Sequence, residues 1–291
     1  MLRQINERSS KLPLAIGQIQ QWKRMVIAFI NQKGGCGKSS SCFHLGGCLA
    51  EQGLRTLMID ADPQGSLSQA FFGAEAVENL PPVETLASRF EGSMSSAESL
   101  AAETQFPNLQ IVRANRHLAP HNVPEPQKRG LVQWTIRTLL DQLPTFEAVL
   151  IDCPPNLYQC SWNAILAADY VVIPVPPEDF GTQGLRAVNL AIKQAQQLNQ
   201  SLDLRGHLIT RVDRRLQIHR HYIERLRDAY RDDVLQTTIP EAVAFKLSLT
   251  FRTPVTIQHP QTPAADSVRR LARELFGQLD TFKAENDGAT A

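Results

Sequence analysis

The chain has 291 residues, of which 43% are hydrophobic and 20% charged, and its formal net charge is +1. That much apolar material excludes a disordered low-complexity chain, and the length allows one or two domains at roughly 150 residues each. A total charge near zero excludes a uniformly basic nucleic-acid coat and an acidic tail, but it leaves local patches open.

In chain order, residues 1–24 carry neither an apolar run nor a small-residue cleavage site, so they read as a short extension and not as a secretory signal. Residues 25–31 predict a buried strand, 37–53 a helix, and 55–60 the next strand. The stretch 72–108 is rich in Ser, Glu and Pro and is expected to leave the sheet as a helical excursion. Residues 109–113 read as a short strand and 131–142 as a helix. Two apolar strands follow at 147–152 and 170–175. Helix and strand then alternate through 184–199, 207–212, 218–230 and 235–239, with a closing helix at 263–282 and a frayed tail at 284–291. Strands apolar on both faces, interleaved with helices, predict an α/β fold. The expectation is a mostly parallel twisted sheet with helices on both faces, in a single domain over 25–283. The longest apolar runs hold about six residues, as at 25–30, far short of the ~18 that span a bilayer. The five cysteines (Cys36, Cys42, Cys48, Cys153, Cys160) show no C-x-x-C spacing, which argues against a zinc or iron–sulfur framework. Their odd number, without a leader, points to a reducing cytoplasmic setting.

The chemistry begins after the first strand, at Asn31-Gln32-Lys33-Gly34-Gly35-Cys36-Gly37-Lys38-Ser39-Ser40. Glycines let a loop fold its N–H groups toward an anion, and the helix that follows adds its positive end. In such a loop Lys38 would hold the β- and γ-phosphates of a nucleotide, and the Ser39 hydroxyl would ligate Mg²⁺. Three acids end strands nearby: Asp60 and Asp62 in Asp60-Ala61-Asp62-Pro63-Gln64-Gly65, and Asp152 in Ile151-Asp152-Cys153-Pro154-Pro155. Ligands of open α/β sheets bind at the carboxyl ends of strands, so all three land near the phosphates. Asp152 would support the magnesium, and Asp62 would orient the attacking water or take its proton. Asp60 and Asp62, read singly, would also serve as turn caps.

These motifs resemble the deviant Walker ATPases, a class of P-loop NTPase, and among them the ParA/Soj partitioning group. The resemblance runs from about residue 25 to 279 and includes Asn163-Ala164, Ala167-Ala168-Asp169, Val172-Ile173-Pro174-Val175 and Thr238-Ile239-Pro240. It implies an ATPase, slow and partner-stimulated, that forms a homodimer around two ATP molecules with Mg²⁺. It matches Lys33 to the signature lysine that reaches the partner's nucleotide, Asp62 to the residue linked to hydrolysis, and Asp152 to the second-motif acid. Metal contact falls to Ser39, Asp62 and Asp152, with Asp60 behind them. ATP contact falls to residues 33–40, that is Lys33, Gly34, Gly35, Cys36, Gly37, Lys38, Ser39 and Ser40, and to Pro240 in the segment that packs on adenine.

The group also binds DNA without sequence preference and answers to a ParB-like partner protein. Residues 205–231 hold eight arginines against three acids, a balance of +5, while 57–104 hold eight acids and one arginine, a balance of −7. Arginine-dense and sequence-tolerant is what phosphate-backbone contact needs. The candidates are Arg211, Arg214, Arg215, Arg220, Lys246 and Arg252, with Arg215 at a position that carries arginine on the family's DNA-contacting surface. One departure stands out: Glu241 and Ala244 occupy places where the family often has arginine. Residues 1–24 are also too short for a helix-turn-helix domain. Three other readings stay open. A MinD-like membrane-surface ATPase needs a basic amphipathic helix, for which 267–276 is a poor anchor followed by acids. A ParA-like positioner of a protein cargo would share the DNA surface. A reductase of the nitrogenase-iron-protein kind would need cluster cysteines, and Cys153 and Cys160 lack the glycine context for it.

Overall fold

A computed structural model describes residues 24–277 except 94, 95, 145 and 179–181, with backbone only for Thr182 and Gln183. Residues 1–23 of the expected extension, the tail, and the end of the closing helix lie outside the described residues. Eight strands form one sheet: β1 (Met25–Phe29), β2 (Thr56–Asp60), β3 (Ala101–Glu103), β4 (Leu109–Val112), β5 (Ala148–Asp152), β6 (Tyr170–Val175), β7 (Asp203–Val212) and β8 (Val234–Pro240). Their order across the sheet is β3-β4-β2-β5-β1-β6-β7-β8. Every neighbouring pair is parallel except β3 with β4.

The helices are α1 (Lys38–Glu51), α2 (Ser66–Phe72), α3 (Ala74–Glu78), α4 (Ala87–Phe90), α5 (Ala97–Leu100) and α6 (Thr135–Gln142), followed by α7 (Gln159–Ala167), α8 (Thr182–Gln196), α9 (Gln217–Tyr230), α10 (Val243–Thr250), α11 (Val255–Gln258) and α12 (Pro263–Phe276). They cover both faces of the sheet. Alternation along β1 shows why: Val26 and Ala28 join one core with α6, α7 and α8, while Ile27 and Phe29 join the other with α1 and α12. The apolar side of α12 (Ala264, Val268, Leu271, Ala272, Leu275) is buried in that second core. A surface that packs the fold is not free to lie on a membrane. Among the described residues no helix is long and apolar enough to cross a membrane.

The structure departs from the sequence pattern where periodicity has no purchase. The excursion 72–108 is helical as expected, but it also supplies β3, whose Ala-Ala-Glu sequence carries no β-branched signal. Helix α7 is buried at all nine positions, so no amphipathic period marks it. The predicted helix at 131–142 opens as a 3₁₀ turn over Gly130–Trp134, where Leu131 and Val132 face solvent while Trp134 packs against the core. Strand β7 begins four residues before the predicted 207, because Gly206 (φ +145°) looks like a breaker but sits inside the strand next to a register shift. The exposed edge of β8 is blunted by side chains: Glu274 accepts from Gln236 N (2.6 Å) and Thr237 N (2.8 Å).

Candidate functional site

The carboxyl ends of β1, β2, β5, β7 and β8 meet around a cavity of about 460 Å³, lined by Lys38, Ser39, Asp62, Arg211, Pro240 and Phe245 among others. That is within the ~300–1,000 Å³ usual for a small-molecule site. Its floor is the loop between β1 and α1. Gly35 (φ +67°) and Gly37 (φ +93°) adopt the left-handed conformation that glycine takes without strain. Asn31 fixes the start of the loop, donating from Nδ2 to Pro174 O (2.7 Å) and accepting from Lys33 N (2.9 Å). The end of β7 braces it from the side: Thr210 Oγ1 donates to Cys36 O (2.8 Å) and Arg211 Nη1 to Gly35 O (3.1 Å). Helix α1 starts at Lys38 with no side-chain cap and no acid in its first turn. Its open N–H groups therefore favour an anion.

The predicted residues converge here. Lys38 is buried, and its ammonium donates back to Lys33 O (3.2 Å). Ser39, Ser40, Cys36, Gly34 and Pro240 all line the cavity. Cys36 is buried, and burial pushes its thiol above the ordinary range. Lys33 is held differently: its Nζ lies 2.6 Å from Glu178 Oε2, both side chains about half exposed.

The three acids separate by their partners. Asp60 is fully buried and accepts from Ser68 N (2.8 Å), Ser68 Oγ (2.7 Å) and Asp62 N (3.1 Å). Its carboxylate organises the β2–α2 turn and does not line the cavity. Burial pushes its pKa up to about 7, against the pull of the Ser68 hydrogen bonds. Asp62 lines the cavity and, among the described residues, its carboxylate accepts only from Gln64 N (2.9 Å). Burial raises its pKa, while the Gln64 N–H and then Lys38 oppose the rise. Asp152 sits opposite Asp60 in the β2–β5 register and is completely buried. Among the described residues neither of its oxygens has a donor in hydrogen-bonding geometry. Burial, and then the charge of Asp60, raise its pKa well above the carboxylate range, with Ser39 and Lys38 pulling the other way. An orphaned buried carboxylate near a serine hydroxyl is a hard-oxygen donor pair of the kind that suits Mg²⁺.

The cations expected on a DNA surface do not form one patch. Arg211 takes the left-handed conformation (φ +56°) and turns toward the nucleotide cavity, with Nε donating to Glu241 Oε2 at 3.1 Å. Lys246 shares that carboxylate, its Nζ lying 3.1 Å from Glu241 Oε1. Arg214, Arg215 and Arg220 group at the β7–α9 junction, where Arg220 Nη2 reaches Arg214 O at 3.4 Å. Arg252 lies elsewhere, beside Gly73, with its carbonyl accepting from Gln105 Nε2. Sequence reasoning missed Asn31, Thr210, Glu178 and Phe245. Each acts through a contact more than a hundred residues away in sequence or through the shape of the cavity, so no local motif announces it.

The AAA domain family matches residues 24–204. Over 254 residues the chain is 30% identical to the chromosome-partitioning ATPase Soj of Treponema pallidum, covering 87% of this chain and 97% of that one. The chain belongs to the ParA/Soj family of ATPases. The chromosome partitioning protein ParA of Caulobacter vibrioides is likewise 30% identical, over 87% of this chain and 94% of its own. Among solved structures, cobyrinic acid a,c-diamide synthase of Mycobacterium smegmatis, with bound ADP and magnesium, superposes with a TM-score of 0.72 at 26% identity, covering 86% of this chain and 93% of that one. These matches extend through the sheet that carries the phosphate loop, and the family's fold is the one described above.

Proposed function

We propose that this member of the ParA/Soj family is an ATP-driven dimerising switch that binds DNA without sequence preference and acts in chromosome or plasmid partitioning. The observation that carries the reading is the cavity itself, where the loop N–H groups, Lys38 and Asp62 face one space and Asp152 lies buried beside Ser39, with no donor in hydrogen-bonding geometry among the described residues. ATP would lay its phosphates on residues 34–40, with Lys38 on the β- and γ-oxygens and the base between the loop side and Pro240. Ser39 and Asp152 would hold Mg²⁺, with Asp62 nearby. The metal, when bound, neutralises charge on the phosphate oxygens. Asp62 is placed to orient the attacking water and accept its proton, and burial already raises its proton affinity. Lys33 would cross to the partner's nucleotide as a cation on the developing phosphate charge, after giving up Glu178.

In this reading ATP locks the homodimer, hydrolysis releases it, and a ParB-like protein stimulates turnover that is otherwise slow. The dimer would reside in the cytoplasm on the nucleoid. The test measures sedimentation and duplex-DNA binding together, with ATP, with ADP and without nucleotide. Dimers and salt-sensitive DNA binding are expected with ATP alone. A demonstrable ATP dimer that ignores DNA even at low salt overturns the DNA part of the reading.

A further inference from the structure

The nucleotide cavity has two unlike sides. The glycine loop and Lys38 form a polar one, which suits phosphates. Ile239, Pro240, Ala242, Phe245 and Leu249, from the end of β8 and from α10, form an apolar one. A flat heterocycle goes to the apolar side of such a site, and an aromatic ring is its best support. Among the described lining residues Phe245 is the one aromatic ring. Behind it stands His44, on the helix that follows the phosphate loop, with the two ring centroids 4.9 Å apart and tilted at 54°. Phe43 meets the same imidazole in an edge-to-face arrangement at 5.0 Å.

His44 is buried, and its Nδ1 accepts from Val255 N at 3.1 Å, 211 positions away in sequence. The ring proton therefore sits on Nε2, which finds no partner among the described residues. Burial pulls the pKa of the ring down to about 3, so the imidazole is neutral. One turn on, Gly47 leaves the room that Pro254 fills, since a Cβ there would stand 2.2 Å from Pro254 Cγ. The chain between α10 and α11 is thus seated on α1 at two points, Pro254 on Gly47 and Val255 on His44. His44 also borders a hollow of about 10 Å³ with Ser40, Ser41, Ile239 and Phe245, all four of which line the nucleotide cavity as well. A buried N–H left unpaired costs stability that an apolar side chain of similar size would not. As filler the imidazole is a poor choice. As a ring of fixed orientation it is a good one, because the bond to Val255 N sets its plane against Phe245.

We propose that His44 is a positioning residue for the nucleotide base: its ring, oriented by Val255 N, holds Phe245 in place as the surface on which the base stacks. The proposal rests on the base position argued above and says what fixes it. His44 does not line the nucleotide cavity, so it acts through Phe245 and not by touching the nucleotide. The phosphate side has braces of its own in Asn31, Thr210 and Arg211. The effect of His44 is therefore confined to what the base adds to binding.

The experiment titrates the full chain, with Mg²⁺, against ATP and against inorganic tripolyphosphate, which offers the phosphates without the base. The quantity read is the ratio of the two Kd values. The wild type should favour ATP, and Phe245→Ala should remove much of that preference. His44→Asn should reduce it by about 5-fold, the size of one aromatic contact, with tripolyphosphate bound as in the wild type. Asparagine is chosen because its carboxamide oxygen can still accept from Val255 N, which keeps the fold while withdrawing the ring. An unchanged ratio in His44→Asn, beside a reduced one in Phe245→Ala, overturns the role of His44 and leaves the base position standing. Unchanged ratios in both variants, or a wild type that binds the two ligands alike, overturn the base position as well. Equal losses for ATP and tripolyphosphate in His44→Asn would mean that the ring only supports the fold, and they overturn the positioning role.

Discussion

The nucleotide cavity and the β7–α9 junction both concentrate charge, and they handle it in opposite ways. Around the cavity the strand-end acids are buried, so each one is defined by the few atoms around it. Asp60 is saturated by Ser68 and the Asp62 N–H, whereas Asp152 has no well-placed donor. At the β7–α9 junction the arginines are exposed, and water substitutes for any missing partner. There the deciding factor is which cation has already found a carboxylate, as Arg215 has in Asp213. Burial turns residue identity into a role; exposure leaves the role to pairing.

The largest effect expected on this comparison is on Lys33, which belongs to both worlds: it stands beside the phosphate loop but is half exposed and held by Glu178. Lys33→Ala should lower hydrolysis per chain by about 10³-fold, the lower end of what a cation supplied in trans contributes. Nucleotide binding should persist in a monomer, measured by fluorescence titration and sedimentation. Unchanged hydrolysis would mean that Lys33 does not act on a partner's nucleotide.

Stability separates the two regions next. A Cβ on Gly65 would stand 2.5 Å from the carbonyl oxygen of Ala114, in a residue already at φ +64°. Gly65→Ala should cost about 3 kcal/mol from clash and backbone strain together, read from the denaturant midpoint. Arg214→Ala in the same assay should shift it little, as exposed surface side chains do.

The smallest effect is a pH dependence. The ordinary Asp value is 3.8, and Asp60 is raised to about 7 in the fold. Between those two pH values the folded chain keeps a proton that the unfolded chain has lost, so this residue's contribution to stability falls as pH rises across the window and levels off above it. Unfolding of Asp60→Asn, compared with wild type in urea at both ends of the window, should show the variant gaining on the wild type toward the upper end. An equal gap at both ends would mean that Asp60 titrates in the fold as it does in the unfolded chain.

Much of the cavity was legible in the linear chain. The loop, Lys38, Ser39 and the strand-end acids follow one another within motifs whose spacing is itself the physical requirement. The ParA/Soj resemblance read from them agrees with the relatives found. The distinction between Asp60 and Asp152 was not legible, since both end apolar strands and only their three-dimensional neighbours differ. The braces were hidden for the same reason: Thr210 reaches Cys36 across 174 positions and Asn31 reaches Pro174 across 143. Arg211 was read as part of a basic run, and its left-handed backbone turned it inward.

By itself, then, the sequence determined the α/β architecture, the phosphate loop and the existence of an arginine-dense third. Those depend on local periodicity, on glycine's freedom and on composition, all of which are written along the chain. Only the tertiary structure decided which acid is saturated, which cation is spoken for, and that His44 stands behind Phe245. Partnership between charges depends on distance and burial, and folding sets both by joining residues that the sequence keeps far apart.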